Sequence, residues 1–246
     1  MASPLAQPAT IHIDDQRRVS GLMILPPSAR ACFVLAHGAG AGMTHPFMEA
    51  IAAALSEAAI ATLRFNFPYL EARGRRPDPP ELCHATVRAA VDEAARRAPG
   101  LPLIAGGRSF GGRMSSQAQA KTPLPGVRGL AFLGFPLHPA HRPSDDRARH
   151  LLDVALPLLF LQGSRDELAD PALVRRLMAR LGARATLKVI ADADHAFHVR
   201  ARSGRNDRQV IVELARALDD WLASMSGEIT SCADPSRRGP DRTVPD

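Results

Sequence analysis

The strongest constraint on the fold is a glycine-rich segment at residues 106–112, GGRSFGG, which stands between an apolar run and a helical pattern. The apolar run at residues 101–105 is typical of a buried strand. A strand that turns straight into a helix forces the residue at the apex into a strained backbone conformation, and the neighbours of that residue must be small. Gly107 and Gly111 meet this need, so the sequence predicts a sharp turn with Ser109 at its apex.

This turn has the G-x-S-x-G pattern, in which a serine hydroxyl group is held above the edge of a sheet. The turn would also aim the backbone amide of Phe110 at the place where a carbonyl oxygen becomes negative during nucleophilic attack. The alternative is a glycine-rich turn with an idle serine. The nucleophile is the preferred interpretation because further candidate groups follow Ser109 along the chain.

Length and composition indicate one large α/β domain. The 246 residues are 46% hydrophobic and 23% charged, as in an ordinary globular chain. No stretch approaches the roughly 18 apolar residues of a membrane span, and residues 1–10 lack the basic start and apolar core of a signal peptide. We therefore expect a cytoplasmic protein that does not bind membranes.

Charge and cysteine content argue against two further classes of protein. The net charge of +6 comes almost wholly from arginine, without interleaved aromatic residues or a binding motif, so we expect no binding to nucleic acid. Cys32, Cys83 and Cys232 are widely spaced and odd in number, and they fit neither a disulfide framework nor a zinc site.

Strand and helix patterns alternate along most of the chain, which predicts a mostly parallel sheet of about eight strands with helices on both faces. Strand patterns lie at 11–13, 20–25, 32–36, 60–65, 101–105, 127–133, 156–161 and 186–190. Helix patterns lie at 47–58, 80–98, 113–120, 172–181 and 209–224. We expect a flexible N-terminus at residues 1–10, one domain at 11–226 and a disordered tail at 227–246.

A second glycine-rich loop, LAHGAGAGM at residues 35–43, follows an early strand. A nucleotide-binding loop is one interpretation, but the third glycine of G-x-G-x-x-G is missing and no acidic residue ends the next strand. An oxyanion loop is preferred, in which the amide of Ala39 or Gly40 lies opposite that of Phe110. We expect His37 to brace this loop rather than to transfer protons.

Candidates for an acid and a base follow the last two predicted strands. Asp166 lies just beyond residues 156–161, at the strand end where ligands bind in open α/β sheets, and it is preferred over Glu167 and Asp170. His195 lies on the loop after residues 186–190 and is preferred over its neighbour His198. An aspartate in this place would fix the tautomer of the imidazole.

A metal site is the alternative to a catalytic role for these residues. Two groups of residues could supply ligands, Asp192, Asp194, His195 and His198 in one case and His138 with His141 in the other. Neither spacing matches a known zinc signature. We therefore expect neither a metal ion nor another cofactor.

The order Ser109, Asp166, His195 is the order found in α/β hydrolases. Over roughly residues 11–224 the chain resembles that superfamily, and specifically its small dienelactone-hydrolase-like serine hydrolases. The segments that carry the resemblance are LAHGAGAGM, RFNFPY, GGRSFGGRM, GFPLHP, LQGSRD and DADHAF. The resemblance implies an eight-stranded sheet and a serine-hydrolase triad. Dienelactone hydrolase itself has a cysteine nucleophile, so its lactone substrate is not carried over.

The mouth of the predicted site should be open, because only about twenty residues separate the strands at 127–133 and 156–161, where many relatives insert a helical lid. Tyr69, Phe135 and His138 are candidates for its wall. Three arginines near the mouth could select an acidic acyl group, but we expect them to pair with local carboxylates: Arg64, Arg108 and Arg113.

Together these features predict a serine hydrolase that cleaves a small-molecule ester or thioester through an acyl-enzyme on Ser109. The alternative is an idle scaffold of the same fold that binds protein partners, since a fold does not dictate a function. The oligomeric state stays open.

Overall fold

The computed structural model describes residues 5–231, and they form one eight-stranded sheet flanked by helices. The strands are β1 (Gln7–His12), β2 (Arg18–Ile24), β3 (Ala31–Ala36), β4 (Ile60–Phe65), β5 (Leu103–Arg108), β6 (Val127–Leu133), β7 (Leu158–Gly163) and β8 (Ala185–Ile190). Their order across the sheet is β1-β2-β4-β3-β5-β6-β7-β8. The hairpin β1–β2 joins β4 in an antiparallel pairing. The remaining neighbours, β4-β3, β3-β5, β5-β6, β6-β7 and β7-β8, pair in parallel.

The strand order reverses direction at the centre of the sheet. From β3 the chain moves outward to β4, and it then returns to place β5 on the other side of β3. The carboxyl ends of β3 and β5 therefore flank a crevice of the kind that binds ligands in open α/β sheets. The loop after β3 and the Ser109 turn after β5 both open into this crevice.

Helices cover both faces of the sheet: α1 (Pro46–Glu57), α2 (Pro68–Glu71), α3 (Pro80–Arg97), α4 (Phe110–Lys121), α5 (Pro171–Leu181) and α6 (Asp207–Ser231). Side chains of α1 and α6 pack on one face, and those of α3, α4 and α5 pack on the other. Strand β3 shows this division. Its Phe33 and Leu35 side chains pack with α1 and α6, whereas its Cys32 and Val34 side chains pack with α3, α4 and α5. All six residues of β3 are buried, since side chains of a central strand point alternately into two cores.

The connection between β6 and β7 contains one short 3-10 helix, Asp146–Asp153, as expected for a site without a helical lid. The predicted fold, a mostly parallel α/β sheet of eight strands with helices on both faces, is confirmed.

Three boundaries differ from the sequence-based expectations. The prediction of a flexible segment at residues 1–10 was wrong for its last residues, because Gln7–His12 pairs with β2. Helix α2 was not predicted, since Pro68–Glu71 is too short to show a helical period. Helix α6 continues to Ser231 and crosses the expected boundary at residue 227, while the remainder of the expected tail, 232–246, lies outside the described residues.

Candidate active site

Ser109 stands alone between the end of β5 and the first residue of α4, in a backbone conformation that side chains rarely adopt, with φ 47° and ψ −111°. Its N–H donates to the carbonyl oxygen of Leu133 at 3.1 Å, which ties the turn to β6. A Cβ atom on Gly107 would overlap the carbonyl oxygen of Ala36, and one on Gly111 would lie 2.5 Å from the same oxygen. The turn can therefore pack against β3 only because both positions are glycine.

A chain of two hydrogen bonds joins three side chains at the carboxyl edge of the sheet. His195 Nε2 lies 2.8 Å from Ser109 Oγ, and His195 Nδ1 lies 2.7 Å from Asp166 Oδ2. The Asp166 side chain is completely buried, whereas 24% of the His195 side chain is exposed. The structure thus brings together the three residues that were selected from the sequence, with the imidazole between the hydroxyl group and the carboxylate.

The Asp166 carboxylate is held from three sides. Besides His195, it accepts hydrogen bonds from the Leu168 amide, at 2.8 Å, and from Gln162 Nε2. The other end of the Gln162 side chain accepts from the Phe135 amide at 3.0 Å, which ties the carboxylate to the loop after β6. Gln162 was missed by the sequence analysis, although a polar residue at the end of the apolar run LLFLQG was a usable signal. Three N–H donors match the acceptor-only character of an ionised carboxylate.

The alternative candidates for the roles of His195 and Asp166 make other contacts. His198 is exposed and its Nδ1 pairs with Asp207 Oδ2 at 2.9 Å. Asp170 caps helix α5 by accepting from the amides at its start, and Glu167 is exposed to solvent. Asp194, directly before His195, shapes the loop by accepting from the amides of residues 196 and 198.

Two residues that line the same cavity as Ser109 have backbone amides without a hydrogen-bond partner among the described residues. Within residues 5–231, no acceptor engages the amide of Ala39 or that of Phe110 at the start of α4. The amide of Gly40 is different, because it donates to the hydroxyl oxygen of Tyr69 at 2.8 Å. Of the two donors that the sequence left open, Ala39 is therefore the free one.

The loop after β3 is braced by His37, which is completely buried. Its Nε2 accepts from the Phe67 amide at 3.2 Å, and its Nδ1 donates to the carbonyl oxygen of Gly38 at 2.7 Å. Burial lowers the pKa of His37 to about 4, so the ring is neutral near pH 7 and keeps this tautomer. The expected bracing role agrees with these contacts.

Ser109 lines a cavity of about 390 Å³, and His195 is not among the described residues that line it. Its walls include Ala39 and Phe110, with Met114 and Pro136 supplying apolar surface. This volume suits a small-molecule group rather than a polymer chain.

The three candidates for wall residues do not line this cavity, so that expectation was wrong. Tyr69 is buried and supports the loop through its bond to Gly40. Phe135 is buried against the rings of other phenylalanines, and His138 is buried with its Nε2 accepting from the Asp170 amide at 2.9 Å. Each of these side chains is buried and packs beneath a loop rather than on the cavity wall.

The expectation that the three arginines pair with local carboxylates was also wrong. Among the described residues, none of them forms a salt bridge. Arg64 donates to the carbonyl oxygen of Met43 at 2.9 Å, and the Arg108 guanidinium lies over the Phe47 ring at 4.7 Å. Arg113 lines the cavity beside Ser109.

Two features of the described part of the chain bear on other classes of protein. No group of three or more histidine, cysteine, aspartate or glutamate side chains is arranged to hold a metal ion there. No helix in residues 5–231 combines the length and the apolar character needed to cross a membrane.

Known proteins share this architecture. Residues 29–223 match the family model described as an alpha/beta hydrolase domain. A dienelactone hydrolase from Anabaena variabilis is similar in structure, with a TM-score of 0.73 and 21% identity, over 91% of this chain and 99% of that one.

Two further solved structures cover nearly the same residues. One is a serine hydrolase without a lid from Xanthomonas campestris, with a TM-score of 0.67 and 22% identity, over 90% of this chain and 96% of that one. The other is the esterase domain of a Rhodothermus marinus protein, with a TM-score of 0.67 and 18% identity, over 88% and 97%. At these identities the likeness shows the fold, and the chemistry has to be argued from the site.

Proposed function

The chain belongs to the alpha/beta hydrolase domain family, and we propose that it is a serine hydrolase that cleaves a carboxylic ester or thioester. The observation that carries the proposal is the continuous chain of hydrogen bonds from Ser109 Oγ through His195 to Asp166, with distances of 2.8 and 2.7 Å. This arrangement joins a nucleophile to a base and the base to a group that orients it.

In the first half of the reaction, Ser109 Oγ attacks the carbonyl carbon of the substrate while His195 Nε2 takes the hydroxyl proton. Asp166 keeps the Nδ1–H tautomer of the imidazole and stabilises the imidazolium that forms. His195 then gives the proton to the departing alcohol or thiol, and an acyl-enzyme on Ser109 remains.

The oxygen that becomes negative during the attack would accept hydrogen bonds from the amides of Phe110 and Ala39. Both residues line the cavity at Ser109, and the Phe110 amide also lies at the N-terminus of α4, where the helix dipole favours negative charge. The bond from the Gly40 amide to Tyr69 supports this geometry, because it fixes the turn that presents Ala39.

In the second half, water attacks the acyl-enzyme and His195 acts first as base and then as acid. The partly exposed His195 ring gives water a route to the ester bond. The short connection between β6 and β7 supports the same conclusion, since the helix that it contains is the 3-10 helix Asp146–Asp153 and not a helical lid. The small-molecule nature of the acyl substrate and the cytoplasmic location stay predictions.

The proposal is tested with p-nitrophenyl butyrate and intact-protein mass spectrometry under rapid quench. We expect hydrolysis by the full chain, a mass increase of one butyryl group during turnover, and loss of both in Ser109→Ala. A folded protein without esterase or thioesterase activity would support an idle scaffold that binds protein partners.

The chain offers a matched control in Ser116, whose Oγ lies 2.8 Å from His150 Nε2. That serine is completely buried, and the burial of His150 lowers its pKa to about 4. Ser116→Ala should keep both the hydrolysis and the mass increase, because a serine and a histidine in contact are not sufficient without access and an orienting carboxylate.

A further inference from the structure

Arg113 carries a charge that nothing in the described protein neutralises. Its backbone amide donates to the carbonyl oxygen of Ser109 at 3.1 Å, so it stands one helical turn beyond the serine. Side chains four residues apart share a helix face, and both residues line the same cavity. The Arg113 Nε atom is buried without a hydrogen-bond partner within residues 5–231, and its guanidinium lies 5.9 Å from the Phe110 ring centre.

A second arginine, Arg147, lines the cavity from the 3-10 helix Asp146–Asp153. It also lacks a salt bridge to any described residue, although its neighbours are paired. Arg149 contacts Asp146 at 2.5 Å, and Asp145 accepts from two arginines of α5. Asp145 and Asp146 thus pair with other arginines, and neither forms a salt bridge with Arg147.

The two guanidinium groups influence each other across the cavity. Burial lowers the pKa of Arg113, and the charge of Arg147 lowers it further. The one carboxylate in the cavity wall, Asp78, forms no salt bridge with either arginine in the described chain, and its Oδ2 accepts from the Tyr69 amide at 2.8 Å. Two like charges held together near a nucleophile are unfavourable until an anion joins them.

The position of the cavity indicates which part of a substrate would meet these charges. The leaving group must lie beside His195 Nε2, which gives it a proton. None of the described cavity-lining residues belongs to the loop that carries His195. The acyl part of the substrate would therefore fill the cavity.

We propose that Arg113 and Arg147 bind a carboxylate on the acyl part of the substrate, so that the preferred substrates are half-esters or half-thioesters of dicarboxylic acids. A guanidinium group binds a carboxylate through two parallel hydrogen bonds, which suits the buried Arg113. This inference rests on the proposed serine-hydrolase function and adds a substrate class to it.

The test compares two substrates with the same diacid chain. One is mono-p-nitrophenyl adipate, which has a free carboxylate, and the other is its uncharged methyl ester. The wild-type protein should show a kcat/KM at least about 10-fold higher for the charged ester. Arg113→Met should lower kcat/KM for the charged ester by about 10- to 100-fold and change that for the neutral ester by less than about threefold. Arg113→Lys should restore part of the preference, since it keeps the charge but not the planar group.

Arg149→Gln is the matched control, because it removes an equal charge that is exposed and paired with Asp146, and it should leave both substrates unchanged. Arg147→Gln provides a second variant if Arg113→Met fails to fold, and it should lower the preference for the charged ester severalfold. Equal kcat/KM for the two esters in the wild type, or an equal loss for both in the Arg113 and Arg147 variants, would overturn the inference while the hydrolase function stands. Absence of any turnover of either ester would overturn the proposed function, and the inference would fall with it.

Discussion

The two sides of Ser109 differ in how their polar groups are satisfied. On one side, His195 and Asp166 are joined by hydrogen bonds, and Asp166 accepts further bonds from Gln162 and the Leu168 amide. On the other side, the Arg113 Nε atom is buried without a partner among the described residues, and Arg147 shares the same cavity without a salt bridge.

This difference separates groups that are positioned in advance from groups that await a ligand. Buried polar atoms are nearly always hydrogen-bonded in folded proteins, so a satisfied network keeps one geometry before the substrate arrives. Charged groups left without partners beside a nucleophile retain their interaction free energy for a molecule that enters the cavity. The His195 side should therefore determine whether any ester reacts, and the arginine side should determine which ester reacts.

The largest effect is expected from His195→Ala, which removes the proposed base. We expect kcat/KM to fall about 10⁴-fold for the charged and the neutral adipate esters alike. His198→Ala is the control, since His198 is exposed and pairs with Asp207, and its kcat/KM should stay within about twofold. A loss that depends on the charge of the acyl part would break the division between the two sides.

The next effect concerns the turn on which both sides depend. Gly107→Ala places a methyl group against the carbonyl oxygen of Ala36, at a residue with φ 144°. We expect the free energy of unfolding, measured in urea, to fall by about 3 kcal/mol or more. Gly100→Ala is the control, because φ there is 81° but the space around it is open, and it should cost about 1 kcal/mol. Similar losses in the two variants would contradict the close packing of the turn against β3.

A pH effect is expected on the arginine side. Burial, with the charge of Arg113 as the second cause, lowers the pKa of His150 to about 4, so the folded chain leaves this ring neutral where the unfolded chain protonates it. The stabilisation is present above pH 6.5 and is lost as the pH falls toward 4, by on the order of 2 kcal/mol. Urea unfolding at pH 7 and pH 4.5 measures this loss together with that of His37, whose pKa is also lowered to about 4, and the variants below isolate the part that belongs to His150.

Two variants sharpen this result. His150→Gln should show a smaller loss of unfolding free energy between the two pH values, since it keeps a partner for Ser116 but does not titrate. Arg113→Met should also reduce the loss, because it removes the second cause of the lowered pKa of His150. An unchanged loss in both variants would show that His150 does not carry the effect.

The smallest of these effects is expected from Gln162→Leu, on the His195 side. The substitution removes one donor to Asp166 and leaves the Phe135 amide without its acceptor. We expect kcat to fall about 10-fold, or about 1.4 kcal/mol, for both esters. Gln117→Leu is the control, because Gln117 contacts His84 away from the site and should leave kcat unchanged. A larger loss for one ester than for the other would contradict the expectation that the His195 side acts on both esters alike.

The sequence predicted the fold and the grouping of three polar side chains at one edge of the sheet because both follow from local patterns. Parallel strands end at the same edge of a sheet, so Ser109, Asp166 and His195, each placed just beyond a strand, had to lie near one another. The strained turn was predictable because only glycine tolerates such close packing at positions 107 and 111.

The walls of the cavity were not predictable in the same way. Arg147 lines the same cavity as Ser109 only because of the path of the β6–β7 connection, and that path is set by tertiary packing rather than by a repeating pattern. Tyr69, chosen as a wall residue, is instead buried under the loop that it holds. The choice between Ala39 and Gly40 likewise depended on a contact with Tyr69 across 29 positions of sequence.

The most direct test of the account is covalent labelling with a fluorophosphonate probe, followed by peptide mapping. Such a probe reacts with a serine whose hydroxyl group is activated by a neighbouring base. We predict one modification per chain, at Ser109, which is absent in Ser109→Ala, strongly slowed in His195→Ala and unchanged in Ser116→Ala. A folded wild-type protein that stays unlabelled, or one labelled at another serine, would contradict the assignment of Ser109 as the nucleophile.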